Sequence, residues 1–289
     1  HQPPLPPGGA INVAVMERTV ALVQTYAKQS ADTTKRSEAL YSALTQEAVM
    51  KNVPQPMFKD ATQRLGLDFV HAPDTELQRL RSKLVTPTGI AGGGVSAGDI
   101  DGDGFTDLYF AGGGGGQLWR NVEGKRFEDC SVSVGLARAG ETRAGYFVDY
   151  DNDGDLDLFL TVVFRSNRLY RNEGNGKFLD VSDSAGIAGG QLVTHEAVWF
   201  DFDNDGLLDV YIANFGMWPK GDTPNLTIRN SSAPPNQFYH QKVVEGAHVF
   251  EEVAFKLGVD DRGWTHCVGV WDFDQDGWMD LISLNDFGR

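Results

Sequence analysis

The stretch DIDGDGFTD, Asp99–Asp107, sets four carboxylates within nine residues. Like charges at that density repel unless a cation sits among them. The pattern returns as DYDNDGDLD (Asp149–Asp157), DFDNDGLLD (Asp201–Asp209) and DFDQDGWMD (Asp272–Asp280). A D-x-D-x-D-G-x-x-D spacing held four times is not an accident of an acidic surface. Acids at positions 1, 3 and 5 can curl inward together, and the glycine at position 6 (Gly104, Gly154, Gly206, Gly277) permits the sharp turn. Hard oxygen donors in that number suit Ca2+, so up to four ions are expected, one per loop. The expected ligands are Asp99, Asp101, Asp103, Asp107 and the carbonyl of Phe105 in the first loop; Asp149, Asp151, Asp153, Asp157 and the carbonyl of Asp155 in the second. In the third they are Asp201, Asp203, Asp205, Asp209 and the carbonyl of Leu207; in the fourth, Asp272, Asp274, Asp276, Asp280 and the carbonyl of Trp278.

An EF-hand needs a glutamate at position 12 and a helix on each side. Position 12 here is Phe110, Leu160, Ile212 and Ser283, and the flanks (GYFVDY before, DLFLTV after, in the second case) are β-branched and aromatic runs that read as strands. A second signature runs in step: FKDATQRLGL from Phe58, FEDCSVSVGL from Phe127, FLDVSDSAGI from Phe178 and FEEVAFKLGV from Phe250. A third lies between: QLWRN from Gln117, RLYRN from Arg168, QFYHQ from Gln237. Each unit therefore reads strand, acidic loop, strand, strand, strand. Four short strands in about 50 residues make a β-propeller blade. The expected fold is all-β, with three full blades, a partial fourth at the C-terminal end and an orphan strand near Phe58. The expected boundaries are a helical arm over 1–57 and the propeller segment over 58–289. Residues between 68 and 93, and those from Gly216 to Asn236, read as insertions into loops of one face, either a binding face or tolerated surface.

The D-x-D-x-D-G-x-x-D-[LV] loops, the segment RLYRNEGNGKFLDVSDSAGI and the entry FKDATQRLGLDFVH resemble the FG-GAP/VCBS repeat family, more narrowly its cartilage-acidic-protein-like branch, whose members often end in an ASPIC/UnbV domain. The resemblance covers roughly residues 56 to 289. It implies a propeller, usually of seven blades, with calcium in the blade loops, and an extracytoplasmic binding or scaffold role. Measured against that pattern, the fourth blade stops after two strands at NDFGR, so a chain longer than these residues is expected.

The formal net charge is −15, with 25 Lys and Arg against 40 Asp and Glu. Four divalent cations would offset about half of it. No basic patch supports a nucleic-acid partner. No apolar run reaches the length of a membrane span. The chain begins at His1, not Met, which fits a removed leader as well as a cut chain. Weak calcium sites fill only where calcium is plentiful, which points to a secreted, periplasmic or cell-surface protein. Cys130 and Cys267 fall in different blades, Cys130 in a fourth strand, and no disulfide between them is expected. Asn225 and Asn230 open glycosylation sequons. Residues 1–57 join a Pro/Gly-rich start to two helical patterns around Val20 and Leu44.

His195 and His266 each follow a threonine and precede a loop by six residues, in THEAVWFD and THCVGVWD. First strands line a propeller's channel, so with Glu196 they form a candidate transition-metal or acid–base site, against the plainer reading of structural histidines. Three functions follow. The first is a non-enzymatic calcium-stabilised module that binds a protein or glycan partner. The second is a polysaccharide-acting enzyme with its site near His195 and His266. The third is an accessory subunit of a membrane-associated assembly, docked through the helical arm.

Overall fold

A computed structural model describes residues 59–71, 84–85, 93–136, 140–174, 176–216, 218–219 and 233–285. The helical arm, the strand expected at Phe58 and both sequons lie outside the described residues.

The expected blades are present. Blade one is the antiparallel sheet β2 (Val95–Gly98), β3 (Asp107–Phe110), β4 (Gln117–Val122) and β5 (Arg126–Asp129). Blade two is β6 (Thr142–Val148), β7 (Asp157–Arg165), β8 (Arg168–Asn172) and β9 (Phe178–Asp180). Blade three is β10 (Leu192–Phe200), β11 (Asp209–Asn214), β13 (Gln237–Val244) and β14 (Ala247–Glu252). Blade four contributes β15 (Thr265–Trp271) and β16 (Asp280–Asn285). The result is a partial β-propeller. Between the two insertions, β1 (Leu84–Val85) pairs with β12 (Trp218–Pro219), so backbone from the two segments meets.

The core lies between blades rather than within them. Leu158 and Leu160 of β7 pack with Tyr109 and Leu118 of blade one, while Phe159 between them packs with Val210 and Ile212 of blade three. Alternate side chains of one strand thus serve opposite interfaces, which is why Leu158, Phe159 and Leu160 are apolar in succession. Each large side chain buried this way contributes about 1.5–3 kcal/mol. A third interface joins Tyr211 and Phe238 to Val268. On blade four, Trp271, Phe273, Trp278 and Met279 are exposed.

The Phe-x-Asp signature has a mechanical explanation. Asp129 Oδ1 accepts from Ser131 N and Oγ, and Ser131 Oγ accepts from Leu118 N, which locks the fourth strand to the third. Asp180, Ser182 and Leu169 repeat the arrangement. The chain then turns through α1 (Ser131–Val134) in blade one and α2 (Ala254–Leu257) in blade three, each ended by a glycine in the left-handed region. At Gly135 and Gly186 the φ values are 97° and 79°, and an added Cβ would lie 2.9 and 3.0 Å from the carbonyl oxygens of Phe178 and Phe250 in the next blade. Those two glycines set blade spacing as well as the turn. Cys130 falls just past the end of β5, not within a strand as the pattern suggested: its N–H still donates to Leu118 O, but Leu118 N donates to Ser131 Oγ, which ends the ladder. Both cysteines are free.

Candidate metal centres and the channel wall

Each acidic loop spans a β-hairpin whose closing pair joins the residue before position 1 to the aspartate at position 9: Gly98 to Asp107, Val148 to Asp157, Phe200 to Asp209 and Trp271 to Asp280. Position 1 shapes the loop. Asp149 accepts from Asp153 N at 3.1 Å and Gly154 N at 3.1 Å, and Asp99, Asp201 and Asp272 do the same in their loops. Position 5 accepts from the N–H of position 7, at 2.8–2.9 Å in all four: Phe105 to Asp103, Asp155 to Asp153, Leu207 to Asp205 and Trp278 to Asp276.

Position 9 ties the loop to the sheet. Asp157 Oδ2 accepts from Tyr150 N at 3.1 Å and Oδ1 from Asn172 N of β8 at 2.7 Å. Asp107 is held likewise by Ile100 N and Asn121 N, and Asp209 by Phe202 N and Gln241 N. These three carboxylates are fully buried. Asp280 is exposed and accepts from Phe273 N.

Carboxylate oxygens of positions 1, 3 and 9 converge within 4.8 Å in the first three loops: Asp99, Asp101 and Asp107; Asp149, Asp151 and Asp157; Asp201, Asp203 and Asp209. In the fourth the converging set is Asp272, Asp274 and Asp276. The observation that favours a cation is at position 3. Asp151 Oδ1 and Asp203 Oδ1 are shielded from solvent and have no hydrogen-bond partner. A buried carboxylate oxygen with no donor is costly unless a cation supplies the partner. The residues therefore fit a hard divalent ion. Asp103 and Asp153 lie outside the converging sets.

Burial also raises the carboxyl pKa values. Desolvation pushes Asp157 up to about 7 and Asp209 up to about 6 against the backbone bonds that favour their charge; Asp107 and Asp151 are raised for the same first reason. A carboxyl raised in the folded state binds more protons folded than unfolded, from about pH 4 to its folded value. Stability is therefore present at low pH within that window and is lost as pH rises through it. In chelator the protein is expected to be more stable at pH 5 than at pH 8, by about 1–3 kcal/mol. Urea midpoints at the two pH values read this directly, and a higher midpoint at pH 8 counts against it.

Position 4 was not part of the sequence-derived set, and it proves structural. Gly102, Asn152, Asn204 and Gln275 all have positive φ, a conformation that Gly and Asn tolerate. Asn152 Nδ2 donates to Gly206 O of the next loop at 2.9 Å, and Asn204 Nδ2 to Gly277 O at 3.4 Å. Asn172 Nδ2 reaches Ile100 O and Gln241 Nε2 reaches Tyr150 O, each at 2.8 Å, one blade back. Neighbouring loops are thus physically joined. Asn152→Gly keeps the φ and removes one link. It is expected to cost about 0.5–1.5 kcal/mol in urea melts, with no loss indicating that the link contributes nothing.

On the opposite ends of the first strands, the ladder slips by one residue at the same place in three blades. Thr142 and Ala144 pair with Val162 and Thr161; Thr194 and Glu196 with Asn214 and Ala213; Thr265 and Cys267 with Asn285 and Leu284. The extra residues are Arg143, His195 and His266. Such bulges re-aim side chains, and here they gather them: Arg143 Nη2 is 2.7 Å from His195 Nε2, and the two imidazole centroids are 4.5 Å apart beside Phe215. A guanidinium only donates, so His195 Nε2 accepts and is engaged. Glu196 Oε2 instead accepts from Val268 N at 3.0 Å. Among the described residues His195, His266 and Glu196 do not converge as a metal-ligand group.

A model of the FG-GAP-like repeat matches residues 99–160 and 149–212. Cartilage acidic protein 1 of Mus musculus is 28% identical over 200 residues, covering 66% of this chain and 28% of that protein. Its Xenopus tropicalis counterpart is 29% identical over 140 residues, covering 43% and 21%. The chain thus spans about a quarter of the length of these relatives. Among solved structures, a lectin of Agrocybe aegerita described as recognising non-reducing terminal N-acetylglucosamine is similar over 67% of this chain and 46% of that one, at 16% identity and a TM-score of 0.37. Among the described residues no helix is long and apolar enough to cross a membrane.

Proposed function

Because the chain belongs to the FG-GAP repeat family, in its cartilage-acidic-protein-like branch, we propose that it is a non-enzymatic, calcium-stabilised β-propeller module that binds or assembles with a protein or glycan partner outside the cytoplasm. The observation that carries the calcium reading is the pair of shielded, donorless oxygens on Asp151 and Asp203, each facing a cluster of further carboxylates. Ca2+ would be held by positions 1, 3 and 9 of the first three loops, by Asp272, Asp274 and Asp276 in the fourth, and by the remaining position-5 carboxylates and position-7 carbonyls as the loop closes. Its role there is structural: it neutralises a turn that repels itself and pins two strands of each blade. Sites of this kind fill in the millimolar calcium outside cells, which supports a secreted, periplasmic or cell-surface location.

The rival reading, a polysaccharide-acting enzyme in the channel, is weakened because His195 Nε2 and Glu196 Oε2 are engaged within the fold. The two readings separate in one experiment. The protein is placed on a panel of matrix glycans and proteins, in calcium and in chelator, and reducing ends are assayed in parallel. Calcium-dependent retention without release of sugar is the expected result. Turnover that survives dilution and is lost in His195→Gln would establish the enzyme instead.

A further inference from the structure

The third loop differs from the first two in its neighbour on the third strand. Trp119, Tyr170 and Tyr239 occupy equivalent ladder positions opposite Leu108, Leu158 and Val210, so Arg120, Arg171 and His240 are equivalent as well. Arg120 sends its guanidinium onto Asp101 and, at 3.7 Å, onto Asp103. Arg171 turns to Glu173 at 2.7 Å. His240 places Nε2 3.2 Å from Asp203 Oδ2. Its ring is held edge-on by Phe202, with centroids 5.1 Å apart and planes at 89°.

Arginine and histidine are not equivalent beside two carboxylates. A guanidinium can only donate, and so can neutralise but never ligate. A neutral imidazole offers a nitrogen lone pair. Here that lone pair converges with one oxygen each of Asp203 and Asp205, all within 4.8 Å. His240 Nε2 and Asp203 Oδ1 are both shielded from solvent and neither makes a hydrogen bond, although the first lies beside Asp203 Oδ2. Two shielded polar atoms of different residues within one cluster call for a partner that a bound cation would supply. One nitrogen and two carboxylate oxygens form a donor set suited to a borderline transition metal rather than to calcium, which takes oxygen alone.

We propose that His240, Asp203 and Asp205 form a transition-metal site of the Zn2+ class on the third loop. The first two loops lack it because arginine stands at the equivalent place. The site shares Asp203 and Asp205 with the calcium reading but does not depend on it.

Co2+ is the probe, since its visible spectrum reports nitrogen ligation and tetrahedral geometry. The titration is made in calcium-free buffer, with melting in calcium followed in parallel, on the full chain and on His240→Arg. Arginine at this place is what blades one and two already carry, so the variant is expected to fold, and it keeps an ion pair with Asp203 while losing the lone pair. His240→Gln serves as a second variant. The expected result is one Co2+ per chain with an imidazole-ligated spectrum, displaced by Zn2+, and a loss of affinity on the order of 100-fold in both variants. Binding that is unchanged in both variants places the metal on other histidines and overturns the proposal. No cobalt binding with calcium stabilisation intact overturns it while leaving calcium standing. Cobalt binding without any effect of calcium on melting does the reverse.

Discussion

Asp157→Ala is expected to lower the unfolding free energy by about 2–5 kcal/mol, in chelator as well as in calcium. Both carboxylate oxygens of Asp157 accept backbone donors, Tyr150 N and Asn172 N, and all three residues are almost completely buried. Alanine leaves two buried N–H groups without acceptors, at about 1–3 kcal/mol each. It also unties the loop from β8, whose Asn172 side chain reaches back to Ile100 of blade one. Asp153→Ala is the control. Asp153 is exposed and accepts only within its own loop, so its loss in chelator should stay within about 1 kcal/mol. Urea denaturation of both variants with and without calcium separates a strut from a ligand. If Asp157→Ala and Asp153→Ala behave alike in chelator, position 9 is not the structural tie described here.

Stripping with chelator is expected to lower the melting temperature by roughly 10–20 °C, and millimolar Ca2+ to restore it. A ligand that binds only the folded chain stabilises by about 2.7 kcal/mol per site at a hundredfold excess over Kd. Four loops, three of them joined by Asn152 and Asn204, make the effects add along the array. Mg2+ at equal concentration should restore much less, because it holds its water and demands near-octahedral geometry. The pH trend should change with occupancy. With calcium bound, Asp157 and Asp209 stay ionised, and the fall in stability between pH 5 and pH 8 expected in chelator should flatten or reverse. A melting curve indifferent to both chelator and calcium would mean that the loops hold themselves together by Asx-type bonds alone.

Much of the fold was legible because it repeats. One acidic loop says little; four in step with Phe-x-[Asp/Glu] and an aromatic–cation–amide triplet define a blade and its strand order. The strands following the second and third loops, β7 and β11, are apolar because their side chains are buried on both faces. The fourth strand is shorter than its pattern: the pattern runs on through Cys130, whereas Leu118 N donates to Ser131 Oγ and ends the ladder first. The convergence of positions 1, 3 and 9 in the first three loops follows from a spacing visible in the sequence, whereas in the fourth loop Asp276 at position 5 takes the place of Asp280. Position 4 was not legible, because Gly102, Asn152, Asn204 and Gln275 share a backbone conformation rather than a chemistry.

From the sequence alone came the blade, its order of strands, the acidic loops and their fit to a hard cation, since these depend on residues close together in the chain. Tertiary structure alone decided which carboxylates lack a donor, which loops touch, and that Arg143 joins the two histidines, expected on one channel, through bulges on three separate strands. It likewise decided that His240 stands over Asp203, 37 residues away in the chain. Those contacts form only when strands distant in the chain come together, within a blade for His240 and between blades for the others, and no local pattern encodes the distance between two strands that the chain has not yet brought together.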